Sequence, residues 1–195
     1  MKKGKVILTG VLAMGLMVSG WNLTEAAPGN AAAAVAAAAA TDSKTAAVGL
    51  PNPLVPMDYE AIAQRLGFRP LILPRSAGYE LTDSYLLAGD TAEFFYRSRY
   101  GAEDRRGRLS VRSAQLAAVD GKQDISGVYG ADWKAEQFGA TTVYIATLSD
   151  TSFAAHWVRG GYAFAATGEN MNRWDFRCLV RDSLVDLTEH YYPAK

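Results

Sequence analysis

The sequence predicts an α+β domain: an antiparallel meander sheet of about six strands, with a short N-terminal helix and a longer C-terminal helix packed on one face. Three observations predict it. Between Tyr79 and Ala166, apolar and polar residues alternate with period two in short runs, separated by turns bearing glycine or aspartate. Most of those connections are too short for the crossovers that parallel pairing requires. Beyond Asn172, the residues Phe176, Leu179, Val180, Leu184 and Leu187 recur at helical spacing as one apolar stripe.

Two segments precede the domain. Lys2, Lys3 and Lys5 form a basic start, an apolar run extends from Val6 to Trp21, and Thr24-Glu25-Ala26 is a small-x-small site. This pattern predicts a signal peptide over 1–26, with Ala27 as the first mature residue. The apolar run is shorter than the roughly 20 residues a spanning helix needs, so cleavage is expected, and retention as an anchor is the alternative. No cysteine lies near the cut, which excludes a lipobox. The expected location is extracytoplasmic, periplasmic or secreted, with no stable membrane insertion after cleavage. Residues 27–51 read as an Ala-rich flexible tether. Ala31 to Ala40 is broken only by Val35 and has no apolar face to dock. Residues 52–195 then form a single globular domain.

Composition narrows the function classes. The chain carries 20 basic and 20 acidic residues, and loss of Lys2, Lys3, Lys5 and Glu25 leaves it slightly acidic. Such a balance exerts no general pull on nucleic acid or an anionic membrane. Cys178 is the only cysteine, so an internal disulfide is excluded and stability must come from packing. It reads as a small buried apolar residue.

Within the domain, Asp58 caps a first helix in which Tyr59, Ile62, Ala63 and Leu66 recur at helical spacing, and Gly67 stops it. Pro70 and Pro74 bracket Leu71-Ile72-Leu73 as a short extended segment. One extended region holds Tyr79–Leu81 and Tyr85–Leu87. The stretch from Ala92 to Tyr100 follows, with Phe94, Tyr96, Ser98 and Tyr100 on one face and Glu93, Phe95, Arg97 and Arg99 on the other. In Arg108–Arg112, Leu109 and Val111 point inward while Arg108, Ser110 and Arg112 point out. Residues 116–127 are a loop. Strands over Trp133–Phe138, Thr142–Leu148, Phe153–Val158 and Tyr162–Ala166 are joined by tight turns at Ser149-Asp150-Thr151 and Arg159-Gly160-Gly161. Asn172 caps the closing helix, and Asp175 suits its positive start.

No catalytic signature stands out. The chain lacks Gly-x-Ser-x-Gly, His-Glu-x-x-His, a phosphate-cradling glycine loop and a cysteine pair. Two distant histidines, His156 and His190, make no zinc motif. No catalytic residue, metal ligand or cofactor is therefore assigned. The densest charge feature is Arg97, Arg99, Arg105, Arg106, Arg108 and Arg112. Alternation puts most of them on one face, where guanidinium forks suit an anionic envelope polymer or an acidic protein surface. Glu93, Glu103 and Asp104 dilute that patch, and a solvated, charge-protected sheet face is the plainer reading. Trp133, Trp157, Trp174, Tyr144 and Tyr162 exceed what a small core obviously requires, although most of them fit core positions. The candidate ligand-binding residues are Arg97, Arg99, Arg108, Arg112, Trp157 and Tyr162.

Three stretches carry a resemblance. They are Leu66-Gly67-Phe68 with Pro70, Pro74 and Gly78-Tyr79; Asp124-Ile125-Ser126-Gly127 with Tyr129 ahead of Phe138-Gly139; and His156-Trp157 followed by Gly160-Gly161-Tyr162-Ala163-Phe164. In this order, over roughly 58–187, they resemble a bacterial extracytoplasmic domain of unknown function. That domain occurs in secreted proteins, lipoproteins and the outer parts of membrane proteins resembling anti-sigma factors. The charged Arg97-to-Arg112 stretch and the Ala-rich tether depart from its pattern. The resemblance implies a location and a fold type, and brings no catalytic residues. The expected function is an exported, non-enzymatic recognition or sensing module of the cell envelope. An envelope hydrolase with a non-motif active site and a structural envelope component are the alternatives.

Overall fold

In the computed structural model, which describes residues 54–193, a single eight-stranded antiparallel sheet carries helices on one face. The expected signal peptide over 1–26 and tether over 27–51 lie outside the described residues. The strands are β1 Leu54–Pro56, β2 Tyr79–Leu87, β3 Thr91–Ser98, β4 Arg108–Gln115, β5 Lys134–Phe138, β6 Thr141–Ser149, β7 Ser152–Arg159 and β8 Tyr162–Glu169. Their order across the sheet is β1-β2-β3-β4-β8-β7-β6-β5.

Two expectations are corrected here. The sheet has eight strands rather than about six, and a strand, β1, comes before any helix. β1 left no alternation to find, because it is three exposed residues ending in Pro56, a residue tolerated at a sheet edge. The connectivity is also not one meander. β1 to β4 form one meander and β5 to β8 a second, and the two join where β4 pairs with β8 from Arg108↔Glu169 to Gln115↔Tyr162. The chain therefore travels from the middle of the sheet to its far edge between Gln115 and Lys134.

The helix face holds the core. Cross-strand register lines up Phe94, Val111, Ala166, Ala155 and Ile145 in one row, and Ala92, Ser113, Phe164, Trp157 and Val143 in the next. Helix α1, Tyr59–Leu66, packs here through Ile62, and the Tyr59 ring lies 5.9 Å from Phe94. Asp58 accepts the Ala61 N–H at its start, and Gly67 closes it in the left-handed conformation. Leu71-Ile72-Leu73 joins no strand. The Leu71 N–H donates to Ser113 Oγ and the Leu73 N–H to Tyr96 Oη, both buried, so side chains satisfy the backbone where a ladder would have. Accepting that bond does not offset burial, which pushes the Tyr96 hydroxyl up to about 12.

The closing helix runs from Arg173 to Tyr191 in three parts: α over Arg173–Leu179, π over Val180–Val185 and α over Asp186–Tyr191, together α2. Asn172 accepts the Asp175 N–H at 2.8 Å, as a capping residue should. The π segment shifts the buried stripe. Phe176, Val180 and Leu184 are buried as the periodicity predicts, but Val185 and Thr188 join them, while Leu179 and Leu187 are only half-buried. Thr188 matters because it lies beneath Trp157. Its hydroxyl accepts the indole N–H at 3.2 Å and donates to Val185 O.

Replacing Thr188 by valine keeps the shape and orphans the indole N–H. The T188V chain should lose about 1–3 kcal/mol in urea unfolding, with T188S recovering most of it. Equal losses for both variants would show that packing, not the hydrogen bond, dominates.

Candidate functional site

Two places combine polar chemistry with a defined shape. The first is a groove of about 540 Å3 at one end of the helix face. Its lining comes from segments far apart in sequence: Tyr79 opens β2, Ser98 ends β3, Asp150-Thr151 turns between β6 and β7, and Asn170 leads into α2. The 3₁₀ turn Glu103–Arg105 contributes Asp104 and Arg105. Tyr100 is 75% exposed, and its ring lies against Gly78, where a Cβ would be only 3.1 Å away. Tyr100 is further held by Ser98, whose Oγ accepts the Tyr100 N–H. Asp104, Asp150 and Asp175 face Arg105 as the one cation among the lining residues, and Arg105 already lies 3.8 Å from Asp104. Burial first, and the Asp175 carboxylate second, hold the Tyr79 hydroxyl protonated to higher pH than an ordinary tyrosine.

The second place is the face opposite the helices. One row there reads Tyr85, Glu93, Arg112, Ala165, His156, Tyr144, Ala135 across seven strands. Glu93 is 2% exposed, although strand alternation would call this an outward position. Arg112 answers it with an Nε–Oε1 contact of 2.8 Å, and donates from Nη1 to Ile125 O and Ser126 O at 3.1 and 2.9 Å. The guanidinium thus ties the 116–133 segment to the sheet. Gly127, at φ +76°, permits the approach, since a Cβ would sit 2.7 Å from Arg112 Nη1. Farther along the row His156 stacks on Tyr144, with centroids 4.9 Å apart and planes 10° apart, and Trp133 meets it edge-on at 4.6 Å.

Of the six arginines expected mostly on one face, Arg97, Arg108 and Arg112 share the face opposite the helices, and each has a carboxylate beside it. Glu80, Arg97, Arg108 and Glu169 form a cross-strand row with an acid at each end and the two arginines side by side between them. Arg97 reaches Glu103 at 3.9 Å and Arg108 reaches Glu169 at 4.0 Å. Arg112 is committed to Glu93 and the two carbonyls. Arg99 is exposed beyond the end of β3. Trp157 is 1% exposed and belongs to the core, so it offers no contact surface. Tyr162 is half-buried among Phe68, Phe164 and Tyr192. Trp174, by contrast, is 65% exposed on the first turn of α2. Cys178 is half-buried rather than buried, with Arg181 Nη2 at 3.9 Å from its sulfur.

Among the described residues no cluster of three His, Cys, Asp or Glu side chains is placed to hold a metal ion, and no helix is long and apolar enough to cross a membrane. Comparison with known proteins adds no relative. No protein-family model, curated protein or solved structure matches the chain.

Sequence reasoning missed the groove because its residues occupy turns, each unremarkable alone. It missed the covered second face for a different reason. A signal was present: Ala154, Ala163 and Ala165 sit at outward positions, where a solvated strand face would carry polar side chains.

Truncating Arg112 should expose the cost of the pair. R112M leaves the Glu93 carboxylate buried without its cation and frees two loop carbonyls. It should lose about 3 kcal/mol in urea unfolding, and a double E93L/R112M variant should recover part of that loss. A loss under about 1 kcal/mol for R112M would show the pair to behave as a surface ion pair.

Proposed function

We propose that this chain is an exported, non-enzymatic recognition or sensing module of the bacterial cell envelope, and that it takes its ligand in the groove beside Tyr79 and Tyr100. The observation that carries this is the groove's lining: two tyrosines, the carboxylates of Asp104, Asp150 and Asp175, and the amides of Asn170 and Asn172, against Arg105 alone as a cation. Carboxylates pair with ammonium and guanidinium groups, and tyrosine faces attract cations. The ligand we favour is therefore a lysine or arginine side chain presented by an envelope protein. An anionic envelope polymer is less well served, because Arg97, Arg108 and Arg112 each already face a carboxylate. Nucleic acid has no basic track to follow.

The location is part of the same proposal. It rests on Lys2, Lys3 and Lys5, on the Val6–Trp21 run, and on the resemblance of the three motif stretches to the bacterial extracytoplasmic domain.

Titration of the isotope-labelled chain with lysine- and arginine-containing tripeptides should shift the amides of Tyr79, Tyr100, Asp150 and Asn170. Acetylating the lysine should abolish that shift. The exposed changes Y100A and D150N should together weaken binding by about tenfold, equivalent to about 1.4 kcal/mol, without altering the unfolding midpoint. R97Q/R99Q/R108Q should bind as the parent does. Binding that survives Y100A/D150N, or that disappears with the three arginines, would overturn the groove as the site. Turnover of an envelope substrate would overturn the non-enzymatic reading.

A further inference from the structure

The segment 116–133 lies against the second sheet face, and few interactions hold it there. At its start the Leu116 N–H donates to Gly161 O, and the Gly121 N–H folds back to Leu116 O. Val119 is buried. In its middle Arg112 grips Ile125 O and Ser126 O. At its end Trp133 rests on His156. The floor beneath is made of small side chains, Ala114, Ala146, Ala154, Ala163 and Ala165, each 0–1% exposed. Such a floor lets a backbone approach closely and offers it no hydrogen bonds.

His156 is the weak point of this arrangement. It is 8% exposed, and among the described residues its Nδ1 is enclosed without any hydrogen-bond partner. A neutral imidazole tolerates this, because the enclosed nitrogen can be the one without the proton. An imidazolium cannot, since it carries N–H groups on both nitrogens and the enclosed one would have no acceptor.

The charged groups around it do not rescue the cation. On its own row Arg112 is a like charge and is committed to Glu93. Tyr144, from β6, presents a ring face. Lys134 begins β5 opposite Ile145, in the helix-face row, and so does not face the ring. Asp124, from the segment itself, is the one acid whose field favours the charged ring, but its Oδ1 already accepts the Ser126 N–H at 2.9 Å. Burial outweighs Asp124, so His156 is held below an ordinary histidine.

We propose that 116–133 is an acid-released strap whose latch is the His156–Trp133 contact. Protonation of His156 expels the ring from between Tyr144 and Trp133, and the strap lifts from the alanine floor. The sign follows from linkage. The strapped state binds the proton more weakly than the open state, where His156 titrates near its ordinary value of about 6.5. Strapping is therefore complete above about pH 6.5 and weakens as the pH falls from there toward the lowered value of the strapped state. The open state exposes Glu93, His156 and a flat floor of alanines.

The test is a pair of pH titrations on the intact exported chain between pH 7.5 and 4.5. Imidazole NMR follows His156, with the same residue in the urea-unfolded chain as the reference. Hydrogen exchange, corrected for its intrinsic pH dependence, follows the amides of Leu116, Gly121, Ser126 and Val128. His156 should titrate below its own value in the urea-unfolded chain. Strap protection should fall by up to about tenfold per pH unit below about pH 6.5, as linkage to one proton requires, while the β4–β8 amides keep theirs. In H156F, which keeps a ring between Tyr144 and Trp133, strap protection should lose its pH dependence. Titration of His156 at its unfolded-chain value, or acid opening that persists in H156F, would overturn the proposal. Should H156F fail to fold, the parent titration alone decides: a His156 that charges without change in strap protection also overturns it.

Discussion

The pairing of β4 with β8 is the constraint from which the rest of this fold follows. It runs over eight residues of each strand and joins two four-stranded meanders in which each strand otherwise pairs with its neighbour in sequence. Because the second meander docks by its last strand, the chain cannot pass from β4 to β5 through a short turn. It must cross the width of three strands, and the contacts of Arg112 and Trp133 put that crossing on the face the helices leave free. One long-range pairing thus decides that both faces of the sheet are covered.

The two coverings differ in kind. On the helix face, large side chains interlock: Trp157, Phe94, Phe164 and Phe176 are fully buried together with Ile62 and Leu184. Burial of each such side chain contributes roughly 1.5–3 kcal/mol, so this face supplies most of the stability. On the opposite face the side chains are small, and adhesion depends on a few contacts, those of Arg112 with Ile125 and Ser126 and of Trp133 with His156. A covering of that kind opens more readily than a packed core, because few apolar contacts are lost when it lifts. The groove shares the helix face but sits where the core runs out, which leaves its tyrosines and carboxylates accessible.

Local features of this fold were legible in the sequence. Asp58, Gly67 and Asn172 mark helix ends because capping is a property of one or two residues. Leu109 and Val111 mark the buried side of β4 because alternation is a property of a single strand. What was hidden depends on partners distant in sequence. Nothing near Arg108 or Tyr162 says that their strands meet, and three exposed residues at Leu54–Pro56 leave no period to read. The π segment in α2 shifted burial onto Val185 and Thr188, a change that a regular 3.6-residue period cannot foresee. Among the candidate site residues, Arg97, Arg108 and Arg112 were correctly set on one face. Glu103 and Glu93, which face Arg97 and Arg112, were legible as acids within the patch, whereas Glu169 reaches Arg108 only across the β4–β8 pairing and was hidden.

The β4–β8 pairing makes the two meanders one cooperative body. Native-state hydrogen exchange under mild denaturant measures this directly. Amides in β3, β4, β8 and β7 should exchange most slowly and merge into a single opening with the global unfolding free energy, while the 116–133 segment opens earlier. Two separate openings, one for β1 to β4 and another for β5 to β8, would contradict it.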